Sequence, residues 1–226
     1  LYNSWRKAPQ NLQPANQHTE EINMEKQKQL SLQQLDKTLA IVFAILSILF
    51  IVMASVSTGF FDWVFARHQN QLSWYIRPLF LIPFCFFSFK RSFVGISITI
   101  FLLLTSMFWF PVPATVNNSV ADFLAMEKDY LLGDWGWVKI VTTILVPLSL
   151  IALSIAFWKR SLWMGISVMV FIAVAKMLWS VLFGGESGRS VILPAVIGLL
   201  ICIALISVGF IRMQKKNAKD KELVEM

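Results

Sequence analysis

Acidic residues are missing from every long apolar stretch of this chain, cysteine and histidine occur twice each, and tyrosine three times. Each scarcity excludes something. With no carboxylate inside an apolar run, the usual coupling of protons or sodium to a midplane Asp or Glu has no residue to use. Cys85 and Cys202 both fall within apolar runs, supply neither a disulfide framework nor a metal-spaced set, and read as small apolar fillers. His18 and His68 lie outside the runs, which leaves paired haem ligation without ligands. No HExxH sequence or phosphate-binding glycine loop is present.

What the chain does have is apolar length: 57% of its 226 residues are hydrophobic. An α-helix rises about 1.5 Å per residue, so about 20 residues cross a hydrocarbon core of about 30 Å. Six segments qualify or nearly so, at about 38–57, 73–89, 92–112, 137–158, 161–183 and 190–211. The expected fold class is an all-α integral membrane protein of six transmembrane helices. One membrane domain (25–212) lies between an N-terminal arm (1–24) and a charged tail (213–226). Pro78 and Pro83 predict a bend in the second helix.

Charge placement orients this domain. Residues 1–37, the two Lys-Arg turns and residues 212–226 hold 14 of 20 basic and seven of 13 acidic residues, so the whole net charge of +7 sits on one side. The positive-inside rule places both termini and both turns in the cytoplasm, which an even number of crossings also requires. A bacterial inner or plasma membrane is the expected location. The basic face should attract anionic lipid headgroups, with no need of nucleic acid.

Residues 1–23 are rich in Gln and Asn and read as a disordered arm. The first residue is not Met, and Met24 is a candidate start. A cleaved signal peptide is not expected, because its charged region would run to some 37 residues. Leu30, Leu32 and Leu35 among Gln and Lys predict a weakly amphipathic helix on the inner surface.

The segment 78–109 recurs as 147–179. Pro78/Pro147, Leu81/Leu150, Lys90/Lys159, Arg91/Arg160 and Ser92/Ser161 match at a spacing of 69. Gly95/Gly165, Ser97/Ser167, Met107/Met177 and Trp109/Trp179 match at 70. Each copy is an apolar run, a basic turn and a second run, which reads as a transmembrane hairpin in a parallel internal repeat.

Among the outer loops, Phe60 to Phe65 reads as an aromatic segment at the interface. The loop 113–136 predicts a short helix capped at Asn118 or Ser119, with Val120, Phe123, Leu124 and Leu131 on one side and Asp122, Glu127 and Asp129 on others. Gly185-Glu186-Ser187-Gly188 resembles the GxSG nucleophile sequence of rhomboid proteases over four residues. No histidine follows Ser187 to act as its base, so it reads as a flexible turn. No catalytic residue, cofactor or metal ligand is expected.

Lys176 is the charge deepest in an apolar run, about 23 Å from Ser161 along a helix. Gly165, Met169, Ala173, Lys176 and Ser180 share one helical face, and Gly95, Thr99, Leu103 and Ser106 form the matching face of the first copy. Lys176, Ser180, Thr99 and Ser106 are therefore candidate pathway residues. Arg77 and Lys139 open their helices beside Trp74 and Trp137, and with Glu127, Asp134 and Glu186 they would form an outer vestibule. The expected function is a small transporter or channel for an ion or anionic solute, with its path between the hairpins. The alternative is a non-catalytic accessory or assembly subunit, and a second copy or a larger membrane complex is the candidate protein partner.

Overall fold

Two serines set the geometry around which the chain turns back. Ser92 and Ser161 are extended N-cap residues whose hydroxyls accept from the amides of Gly95 and Met164, starting a helix just after each Lys-Arg pair. The arginine before each serine is left-handed, with φ of 58° at Arg91 and 57° at Arg160. Each turn closes in the same way. Arg91 N donates to Ser88 O and Ser92 N to Phe87 O, as Arg160 N donates to Phe157 O and Ser161 N to Ala156 O. Just beyond, a Cβ on Gly95 or Gly165 would overlap the ring of Phe87 or Phe157, so only glycine lets the paired helices come this close.

The computed structural model describes the backbone of residues 13–225 and the side chains of residues 20–216 and Ala218. Among the described residues the chain is 88% helical and has no strand. The helices are α1 (Gln13–Val56), α2 (Thr58–His68), α3 (Leu72–Leu79), α4 (Leu81–Lys90), α5 (Phe93–Thr105), α6 (Asn118–Leu132), α7 (Trp137–Trp158), α8 (Leu162–Gly188) and α9 (Ile192–Glu225). Single 3₁₀ turns follow α5 and α8. Four stretches are long and apolar enough to cross a membrane: Glu20–Val56, Leu72–Lys90, Trp137–Trp158 and Leu162–Lys216; Phe93–Phe108 is a shorter apolar helix.

Several boundaries differ from the sequence expectation. The second predicted helix is two, broken at Phe80. The ring of Pro83 removes an amide and crowds the carbonyl four residues back, at Leu79, where α3 stops. The third predicted helix ends at Phe108 rather than 112. Hydroxyls of Thr105 and Ser106 take the carbonyls of Phe101, Leu102 and Leu103, and Pro111 then prevents continuation. The turn 184–188 is helical except at Gly185, whose φ of 54° and ψ of −129° break α8 where only glycine is at ease. The segment read as disordered is helical from Gln13, a continuation of the good helix formers after Glu25. The rest of that reading lies outside the described residues.

Two apolar clusters hold the bundle. Near the Lys-Arg turns, Phe84, Cys85 and Phe89 of α4 meet Leu153 and Phe157 of α7, Met169 of α8, and Cys202, Ile206 and Phe210 of α9. At the opposite end, Phe61 and Phe65 of α2 meet Trp74 of α3, Val120, Phe123 and Leu124 of α6, and Val191. Because Met169 and Phe210 share the first cluster while Trp179 and Val191 share the second, α8 and α9 run antiparallel. The core helix pair is α4 and α7; α5 packs along α1, and α8 packs on α7, α6 and α9.

Candidate functional site

The end away from the Lys-Arg turns is closed by α6. Asn117 caps it by accepting from Ser119 N, and Val120, Phe123 and Leu124 bury its inner face. That face continues to Glu127, seven residues after Val120 and nearly two full turns on. Glu127 was expected on another side of this helix; the heptad spacing places it with the apolar residues instead. Its Oε1 accepts from Lys176 Nζ at 3.0 Å. The Lys176 ammonium lies 4.5 Å from the Trp179 ring centroid and 5.7 Å from that of Phe123, so two aromatic faces share its charge with the carboxylate. The Lys176 side chain is 46% exposed and that of Glu127 only 18%.

A second cation approaches from α3. Arg77 Nη1 donates to His68 Nε2 at 3.3 Å. A guanidinium cannot accept, so Nε2 carries no proton and Nδ1–H donates to Ser73 Oγ at 3.0 Å. Ser73 Oγ donates in turn to Asn70 O at 2.8 Å, and Trp74 Nε1 donates to His68 O at 3.0 Å. Burial, and then the charge of Arg77, push the His68 imidazole down to about 3. Burial alone would raise the Glu127 carboxyl; the ammonium of Lys176 hydrogen-bonded to it is the chief opposing influence, and the balance holds Glu127 below the usual carboxylate range. Among the described residues no carboxylate lies within 4.0 Å of Arg77. At neutral pH the cluster therefore holds two cations, one carboxylate and a neutral imidazole.

Compared with known protein families, curated proteins and solved structures, the chain matches none. Its chemistry is legible only in the site itself.

Of the residues singled out in the sequence, the structure brings together Lys176, Glu127 and Arg77. Lys139 lies elsewhere: it is buried, and its ammonium donates to Leu131 O at 2.8 Å and Gly133 O at 2.6 Å, closing the C-terminal end of α6 over the Trp135 ring. Asp134 is exposed, and Glu186 pairs with Arg189 at 2.9 Å on the surface. Thr99 and Ser106 are buried but spend their hydroxyls on Gly95 O and Leu103 O of their own helix. Ser180 is fully buried, and its hydroxyl has no partner among the described residues. The polar faces of α5 and α8 do not meet, because α5 packs along α1. Among the described residues no group of three or more His, Cys, Asp or Glu is placed to hold a metal.

His68 is not among the candidate residues that the sequence offers. The signal for it was present, since Phe61, Val64, Phe65 and His68 follow the spacing of one helix face and all four are buried.

Proposed function

We propose that this chain is a six-crossing membrane protein that passes a small anion or acidic solute across the bilayer, with Lys176 and Arg77 as the selecting charges and Glu127 as their internal counter-ion. The observation that carries this reading is a carboxylate from the cap helix paired with Lys176, beside a cluster in which Arg77 bonds to His68 and, among the described residues, has no carboxylate within 4.0 Å. An entering anion would take the place of Glu127, and α6 would move with it. The six crossings are the apolar part of α1, the broken α3–α4 pair, α5 with its 3₁₀ turn, α7, α8 and α9, with both termini and both basic turns in the cytoplasm.

A parallel repeat of the two hairpins is supported by contacts that run both ways. Arg91 lies 5.8 Å over the ring of Trp158, and Arg160 lies 5.0 Å over that of Phe89. Each arginine thus meets the residue two positions before the other. Such reciprocity is what a twofold relation would produce, with α4 and α7 flanking its axis.

Flux of labelled anions into proteoliposomes tests the reading. Lys176→Met should lower anion flux at least tenfold, Glu127→Gln should lower the KM, and Lys128→Met, in an exposed pair with Asp62, should change neither. Equal flux in the wild type and Lys176→Met would overturn it.

One observation favours the accessory reading instead. Leu30, Leu32 and Leu35 of α1 are each more than half exposed on a stretch that lies outside the apolar run, and a partner helix would cover them. A partner recovered at fixed stoichiometry from native membranes, and lost in Leu32→Glu/Leu35→Glu, would put that reading first.

A further inference from the structure

The two Lys-Arg turns share their backbone geometry but not their surroundings. At the first, Asp36 of α1 reaches across: its Oδ1 accepts from Ser92 Oγ at 2.9 Å and from Val94 N at 3.4 Å, and its Oδ2 accepts from Phe93 N at 3.0 Å. A carboxylate therefore sits on the serine hydroxyl and the first amides of α5. At the second turn, among the described residues, no carboxylate takes that place. Its cations are left without that internal anion. Lys159 and Arg160 belong to the turn, and Arg91 joins them from the first turn, its Nη2 donating to Trp158 O at 3.4 Å. All three side chains are exposed, and among the described residues none has a carboxylate within 4.0 Å. Trp163, 80% exposed one turn further on, is the kind of residue that lies at headgroup depth.

Three unmatched cations at the end of a membrane bundle, beside a turn whose twin already holds an anionic group, define both a place and a ligand class. We propose that the Lys159-Arg160-Ser161 turn, with Arg91, binds the phosphate of one anionic lipid headgroup, and that Asp36 fills the equivalent place at the first turn from within the chain. The phosphate oxygens would accept from the Arg160 and Arg91 guanidiniums, the Lys159 ammonium and the Ser161 hydroxyl. Neither the transport reading nor the accessory reading is needed for this.

Native mass spectrometry of the purified full chain, titrated with phosphatidylglycerol or phosphatidylcholine, tests the proposal. The wild type should retain one phosphatidylglycerol per chain in preference to phosphatidylcholine, whose choline cancels the charge. Lys159→Gln/Arg160→Gly should weaken retention roughly 25-fold, at about fivefold for each basic side chain near the surface. Glycine accepts the left-handed φ at position 160, so the turn survives, and an unchanged melting temperature would verify this. Lys90→Gln at the first turn should have no effect. Asp36→Ala should raise the retained phosphatidylglycerol from one to two, because it vacates the twin site. Equal retention of the two lipids, or retention unchanged in the double variant, would overturn the proposal. Displacement of the lipid by millimolar inorganic phosphate would overturn the assignment to a lipid rather than a soluble anion.

Discussion

His68 shows how a single side chain can bind a fold to pH. Its pKa is about 3 in the folded chain against an ordinary 6.5, so between those values the unfolded chain takes up a proton that the folded one refuses. Stability is then full above about pH 6.5 and falls as pH drops toward about 3. By about pH 5 the loss should reach about 2 kcal/mol, at about 1.4 kcal/mol per unit. Melting in detergent at the two ends of that range should show the slope, and His68→Gln should flatten it, since an amide can accept from Arg77 and donate to Ser73 without titrating. Glu127 contributes a slope of the same sign, but only below its ordinary 4.5, so between about pH 6.5 and 4.5 the slope belongs to His68 alone of the two. In sequence His68 reads as lying outside the helices because the aromatic segment before it, Phe60 to Phe65, reads as an interfacial patch. The helical spacing of Phe61, Val64 and Phe65 was the better guide. Lys139 shows the opposite limit: a lysine beside tryptophan at a helix start reads as part of an outer vestibule, and nothing local says that its ammonium turns back to carbonyls at the end of the preceding helix.

At the scale of elements, α7 was legible to the residue and the break in the second apolar run was legible from its prolines, because both follow from local chemistry. The cap on α5 was not. Asp36 lies 56 residues from Ser92, and no pattern in either segment announces the meeting. Removing it should matter: Asp36→Ala leaves the first amides of α5 without their acceptor and should cost about 1–2 kcal/mol, read as a lower melting temperature, with Asp36→Asn intermediate. The cap helix α6 offers a second measurement. A double-mutant cycle on Glu127 and Lys176 should give a coupling of about 1–2 kcal/mol, whereas the exposed Asp62–Lys128 pair should give under about 0.5. Equal couplings would mean that the half-buried position of Glu127 contributes nothing to the pair.

For the whole molecule, the proposed six crossings with both ends inside make a plain prediction. In sealed cells, impermeant thiol reagents should label cysteine at position 118 or 187 and leave position 215 untouched; the native Cys85 and Cys202 are buried and should stay silent. Labelling at 215 would reverse the orientation. Composition and apolar length suffice for the all-helical character of the chain, because a bilayer imposes both length and closed backbone hydrogen bonding on any segment that enters it. They do not say which helix touches which, and that depends on details such as Gly198 closing on Pro78. One such detail has a mechanical side. From Asp36 back to Glu20, α1 is an uninterrupted and exposed rod of about 24 Å, and Asp36 is its last grip on α5 before it leaves the bundle. Any force applied to this rod at Glu20 is multiplied at that grip, so the three hydrogen bonds to Ser92, Phe93 and Val94 would part before the packing of α1 along α5 began to yield.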